Sequence, residues 1–194
     1  MFFILKLSLL LPFCYFGWYY IADSLTLLTG YLTETLINTL FTELISTIEI
    51  NHTQLDIIVN VTLPKAQVPT GMLPEIVISI NPLIYSYGLP VSIALILASP
   101  FQAWKTFASL ILMPFLLLPI QLWGVCFELM KTLFLQYPKE FTSHIMLYPW
   151  QNDMIAVAYQ LGALVLPSVA PIIFWIILYK EFVTQFVPTY EISR

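Results

Sequence analysis

Charge is what this chain has least of. Only 9% of its 194 residues are Asp, Glu, Lys or Arg, against roughly 25% in a soluble domain. So few charges cannot cover a globule of this size in water, so lipid is the solvent for much of its surface. Arginine occurs once, as Arg194, and the formal net charge is −4, so the basic field that nucleic-acid binding requires is missing. Cysteine occurs twice, at Cys14 and Cys126, too few for a disulfide framework or a cysteine metal site. Tandem repeats and low-complexity tracts are absent. No acidic or basic side chain lies deep in any long apolar run, which argues against a proton relay or an ion pathway.

What fills the chain instead is long uncharged runs. Residues 106–127, between Lys105 and Glu128, form a run of 22 uncharged residues. As a helix at ~1.5 Å per residue this covers roughly 33 Å, about the hydrocarbon thickness of a bilayer. Residues 1–22 make a first span. It is too long for a signal-peptide core, no A-x-A cleavage site follows, and it ends in the interfacial aromatics Phe16, Trp18, Tyr19 and Tyr20.

The pattern then changes. In residues 23–46, Leu25, Leu28, Leu32, Leu36, Leu40 and Leu44 recur every three or four positions, a stripe that Ile48 continues. That period predicts an amphipathic helix, N-capped at Asp23-Ser24, with the leucine stripe packed on its own protein or on a membrane surface or partner. The period next drops to two. Residues 55–63 and 75–80 alternate apolar with polar, residues 48–50 add a short third segment, and Pro64, Pro69, Gly71 and Pro74 punctuate the connection. A small antiparallel sheet is expected. Its open edges cannot face hydrocarbon, so residues 23–82 are expected to form an extracytoplasmic α+β insertion.

A second span is expected at residues 83–103, broken near Gly88–Pro90, with a tight turn into a third at 106–128. Residues 129–153 form a partly helical surface loop with interfacial Tyr137, Tyr148 and Trp150. Residues 154–179 hold 26 uncharged positions and make a fourth span, and 180–194 a tail. The fold class is thus an α-helical integral membrane protein with about four transmembrane helices. Lys6, Lys105, Lys180 and Arg194 fall on one side and Lys65, Lys131 and Lys139 on the other, a bias toward cytoplasmic termini.

Gln121 and Gln160 are the deepest amides, at similar depth in the third and fourth spans. An interhelical hydrogen bond would satisfy both, and a handle for a substrate or partner helix is the alternative. Cys126 with His144 sketches a nucleophile pair, but no motif places the two together. A Cys14–Cys126 disulfide is disfavoured by a depth mismatch of roughly 10 Å. Pro114, Pro119, Pro167 and Pro171 kink the last two spans, and Ala156, Ala158, Gly162 and Ala163 give the fourth a small face.

Three stretches carry a resemblance: NPLIYSYGLP (81–90), QLWGVCFELMK (121–131) and YQLGALVLPSVAPIIFW (159–175), about a fifth of the chain. In them the sequence resembles the exosortase H-associated membrane proteins, small bacterial inner-membrane proteins linked with an exosortase, a transpeptidase-like membrane enzyme that processes C-terminal sorting signals. The resemblance implies a multi-pass inner-membrane protein and an exosortase-type partner besides lipid. It implies no catalytic residue, cofactor or metal. Exosortases use Cys with Arg and His, and no Arg lies near Cys126. Within the three stretches Asn81, Tyr85, Tyr87, Gln121, Trp123, Cys126, Glu128 and Gln160 are the candidate contacts for a partner or for helix packing. The expected function is a non-catalytic accessory protein. Its rivals are a cysteine enzyme built on Cys126 and His144 and a small-solute transporter or pore.

Overall fold

The computed structural model describes residues 2–40, 45–60, 75–137 and 147–186. Two helices open it in close succession, α1 (Phe2–Tyr20) and α2 (Ala22–Leu40). Strands β1 (Ile45–Asn51), β2 (Gln54–Asn60) and β3 (Glu75–Ile80) follow as an antiparallel sheet in the order β1-β2-β3. A 3₁₀ turn (Pro82–Tyr85) leads into the short α3 (Gly88–Ala98). Helix α4 (Ala103–Lys131) continues through a π-helical turn to Gln136. Helix α5 (Pro149–Gln160) joins α6 (Leu166–Leu178) through a second π turn (Leu161–Val165), and α7 (Lys180–Val183) follows.

Three helical stretches among the described residues are long and apolar enough to cross a membrane: Phe2–Tyr20, Ala103–Gln136 and Pro149–Leu178. The second expected span is not a fourth of that kind. Helix α3 has 11 residues, ~16 Å, about half the hydrocarbon thickness. Its sequence explains the shortening. Asn81 accepts a hydrogen bond from the Leu83 amide at 3.0 Å, and Pro82 sits at the first position, so a 3₁₀ turn forms before the helix. At the other end Pro100 drives Ser99 out of the helical region to ψ 165°. The turn into α4 is as tight as expected.

The third span is longer than its uncharged run. Its 34 helical residues, ~51 Å, exceed the bilayer and do not stop at Glu128. Val125, Leu129 and Leu133, four residues apart, form a ridge there that packs into one core with the sheet. Leu55, Ile57, Val59, Ile78 and Ile80 all point onto this core with at most 4% of their surface exposed. Each contributes on the order of 1.5–3 kcal/mol by leaving water, and this burial is what sustains a sheet of only three strands. Across the strands Ile48, Ile57 and Ile78 stand in register, as do Glu49, Asp56 and Ser79 on the outer face. There Ser79 and Asn51 each donate to the Asp56 carboxylate at 2.5 Å and hold it below the usual carboxyl range.

Helix α2 decides between the two placements expected for the leucine stripe. Its buried face is Thr26, Thr29, Thr33 and Ile37, all at 1% exposure or less, whereas Leu28 and Leu36 are exposed. At 100° per residue the leucine stripe lies about a quarter-turn from the buried face. In water leucines mark the inside. Here the small and hydroxyl-bearing side chains take the inner face of α2, and Leu28 and Leu36 turn outward. Thr29 returns its hydroxyl to the Leu25 carbonyl at 2.8 Å, so the polar face carries part of its own hydrogen bonding.

At the end remote from the sheet, Phe3 stacks on Trp175 with centroids 5.5 Å apart, the Trp175 indole donates to Ser99 at 2.9 Å, and Lys105 lies over the Tyr179 ring. The starts of α1 and α4 and the ends of α3 and α6 therefore share one end of the bundle. Cys14 and Cys126 are both free.

Candidate functional site

The break between β3 and α3 is where the bundle meets the sheet, and polar side chains gather there. Tyr85, 3% exposed, ends the 3₁₀ turn and donates its hydroxyl to Glu128 Oε2. Lys131 sits 3.9 Å from the other carboxylate oxygen and 4.1 Å from the Tyr159 ring centroid. Glu128 and Lys131 keep only 20% and 17% of their side chains exposed. A carboxylate this withdrawn from water needs such partners, since an unpaired one would be strongly destabilising. Four groups from the 3₁₀ turn, α4 and α5 thus make one charged network.

Close backbone approach makes the network possible. A Cβ on Gly124 would overlap the Tyr85 ring, and one on Gly162 would come 3.1 Å from the Gly124 Cα. The two glycines let α4 pass the π turn and let Tyr85 lie flat on α4. One turn away, Gly88 abuts the Pro167 carbonyl. Pro171, with no N–H, leaves that carbonyl without its helical donor. The π turn itself precedes Pro167, where the ring interrupts the regular ladder.

The remaining candidates fall into place around this contact. Asn81 caps the 3₁₀ turn. Tyr87 pairs its hydroxyl with Ser168 at 2.5 Å and reaches the Leu164 carbonyl at 3.4 Å. The Trp123 indole donates to the Ala158 carbonyl at 3.0 Å. Gln121, 6% exposed, donates to the Pro82 carbonyl at 3.4 Å. This corrects the expected Gln121–Gln160 bond. Helix α5 and the π turn after it face α4 through Ala158 and Gly162, whereas Gln160, about 160° around the helix from Ala158, is exposed. The carbonyl freed at the broken helix takes the amide instead. Cys126 is half-buried beside the sheet core, and His144 lies outside the described residues. Among the described residues no group of three His, Cys, Asp or Glu is placed to hold a metal ion.

Beside the network an apolar cleft of about 50 Å³ opens between Leu25 and Leu28 of α2, Ser86 and Gly88 of the break, and Leu117 and Gln121 of α4. Sequence reasoning missed Ser168, Tyr159 and the Pro82 carbonyl as partners. Ser168 beside Pro167 was a detectable signal, because hydroxyls often compensate a proline kink. Tyr159 and the carbonyl left none.

The three stretches that carried the resemblance thus meet at one place. The sequence model of the exosortase H-associated membrane protein family matches residues 2–182. The chain belongs to this family. No curated protein and no solved structure matches it. In this exosortase H-associated protein, the stretch NPLIYSYG is the clamp between the sheet and the helical bundle. Its family description is that of a membrane protein associated with an exosortase, and its exposed apolar helices are in contact with lipid.

Proposed function

We propose that this protein is a non-catalytic accessory subunit whose α2–sheet cap docks an exosortase-type enzyme or its substrate. The observation that carries this reading is how the polar groups are used. Tyr85, Glu128, Lys131, Gln121, Trp123 and Tyr87 are engaged with one another or with backbone carbonyls, which leaves the sheet's outer face as presentable surface. A catalytic site would need a nucleophile with its base, and Cys126 sits half-buried in a packed core. Membership of a family described as exosortase H-associated supports an exosortase-type partner.

The finer topology belongs to the same proposal. The 3₁₀ turn and α3 together act as a broken fourth crossing, which runs from the sheet end to the Ser99–Trp175 end. The end with Lys6, Lys105 and Lys180 faces the cytoplasm, and the cap stands on the outer side of a bacterial inner membrane. Affinity purification from membranes that also contain the exosortase should recover a complex, and deletion should impair sorting. If the protein purifies alone and sorting is intact without it, the proposal fails. A Cys126→Ala variant should sort normally, and loss of sorting in a folded variant would revive the cysteine enzyme.

A further inference from the structure

At the end of the bundle remote from the cap, a pocket of about 130 Å³ lies between the α3–α4 turn and α7, lined by Pro100, Gln102, Lys105, Tyr179, Glu181 and Gln185. Four features mark it as built for a ligand. It sits at the start of α4, a helix of 29 residues whose first-turn amides carry the positive end of the helix dipole, and Gln102 makes no capping bond to them. Tyr179 is 3% exposed, and its hydroxyl has no hydrogen-bond partner among the described residues. Buried hydroxyls are rarely left so. Lys105, whose ammonium lies over the Tyr179 ring, and Glu181 line the same space, and neither has an ion-pair partner among the described residues. Finally, the exposed Phe101 and Trp104, at 78% and 81%, stand beside the pocket where aromatic residues mark the headgroup level of a bilayer.

We propose that this pocket holds the headgroup of an aminophospholipid. The phosphate diester lies against Lys105 and the first turn of α4, and the primary ammonium is directed to Glu181. A cation and a carboxylate lining one pocket match a zwitterion better than a simple anion, which Glu181 would repel. The flanking aromatics place the acyl chains along the apolar ends of α3 and α4.

The test is native mass spectrometry of the full chain released from micelles that contain defined mixtures of phosphatidylethanolamine, phosphatidylglycerol and phosphatidylcholine. The wild type should retain phosphatidylethanolamine about tenfold over the other two, the worth of one charge-assisted hydrogen bond. Lys105→Gln should lower retention of phosphatidylethanolamine and phosphatidylglycerol alike. Glu181→Gln, a surface change, should lower phosphatidylethanolamine and raise phosphatidylglycerol. Melting temperatures of both variants should match the wild type, so that lost binding is not lost folding. Equal retention of the three lipids, or a preference that neither substitution alters, would overturn the proposal. Displacement of the lipid by millimolar inorganic phosphate would also overturn it, because the pocket would then take a free anion. Failure here leaves the partner proposal untouched, since the two sites lie at opposite ends.

Discussion

Helices α1 and α4 read alike in sequence and behave oppositely in the fold. Both are uncharged over most of a bilayer's thickness. Yet α1 buries no residue, and Phe13 and Phe16 stand at 70% and 75% exposure. Helix α4 buries Thr106, Ser109, Met113, Leu117, Gln121, Gly124, Val125 and Leu129, spaced three or four apart except at the paired Gly124–Val125. Half of these are small or polar. The lesson is that hydropathy finds helices that enter lipid but does not rank them. The central helix is the one whose stripe carries glycine, hydroxyl and amide groups, because only those pack backbone against backbone or satisfy a freed carbonyl.

The strongest way to break this contrast is to load each helix in turn. Gly124→Val drives a side chain into the Tyr85 ring and should cost about 3 kcal/mol of stability, or abolish folding. Leu9→Ala on α1 should stay within about 0.5 kcal/mol. Reversible denaturant titration in mixed micelles measures both. Similar losses would mean that the two helices are equally embedded.

The same contrast exists within α2, between neighbours. Ile37 is fully buried, and Leu36 is 37% exposed. Ile37→Ala should cost about 2–3 kcal/mol and Leu36→Ala under about 1 kcal/mol in the same titration. A reversed order would restore the leucine stripe as the inner face.

A smaller effect sharpens the clamp. Tyr85→Phe removes the hydroxyl that meets Glu128 and should cost about 1–2 kcal/mol. In a double-mutant cycle with Glu128→Gln that loss should shrink, and strict additivity would mean that the two groups are not coupled.

The smallest effect is on the cap's outer face. The Asp56 carboxyl is held low by Ser79 and then Asn51, so its folded pKa lies below its unfolded one. The stability it contributes is therefore present above the unfolded value, about 4, and is lost as pH falls through the folded one. Wild type and Asp56→Asn should differ at pH 7 and converge as the medium becomes more acidic than about pH 4. A gap that widens with acid would have the wrong sign.

Much of this was legible in the residues. The alternation over 55–60 and 75–80 placed two strands, and the short Ile48-Glu49-Ile50 run marked the third because β-branched residues favour a pleated surface. The part of the expected second strand beyond Asn60 lies outside the described residues. The first, third and fourth spans announced themselves by length. What the sequence hid was of three kinds. The second span was expected with a break near Gly88–Pro90, but hydropathy could not show that the part before the break is a 3₁₀ turn and that only Gly88–Ala98 is α-helical. The inner face of α2 was left open, because a leucine stripe serves equally to pack on its own protein or on a membrane surface or partner. Gln121 was given the wrong partner because a carbonyl released at a helix break has no residue type to betray it. The clamp was half visible, since its three stretches stood out as strings, but only the fold brings Tyr85, Glu128 and Gly162 to one place.

The most direct measurement places a photoreactive residue at Val77, on the exposed face of the sheet, and another at Phe13, on the lipid face of α1, in membranes that contain the exosortase. The cap-docking reading predicts a covalent adduct with the enzyme or its substrate from Val77 and none from Phe13. Adducts from Phe13 alone, or a Val77 position labelled only from the cytoplasmic side, would contradict it.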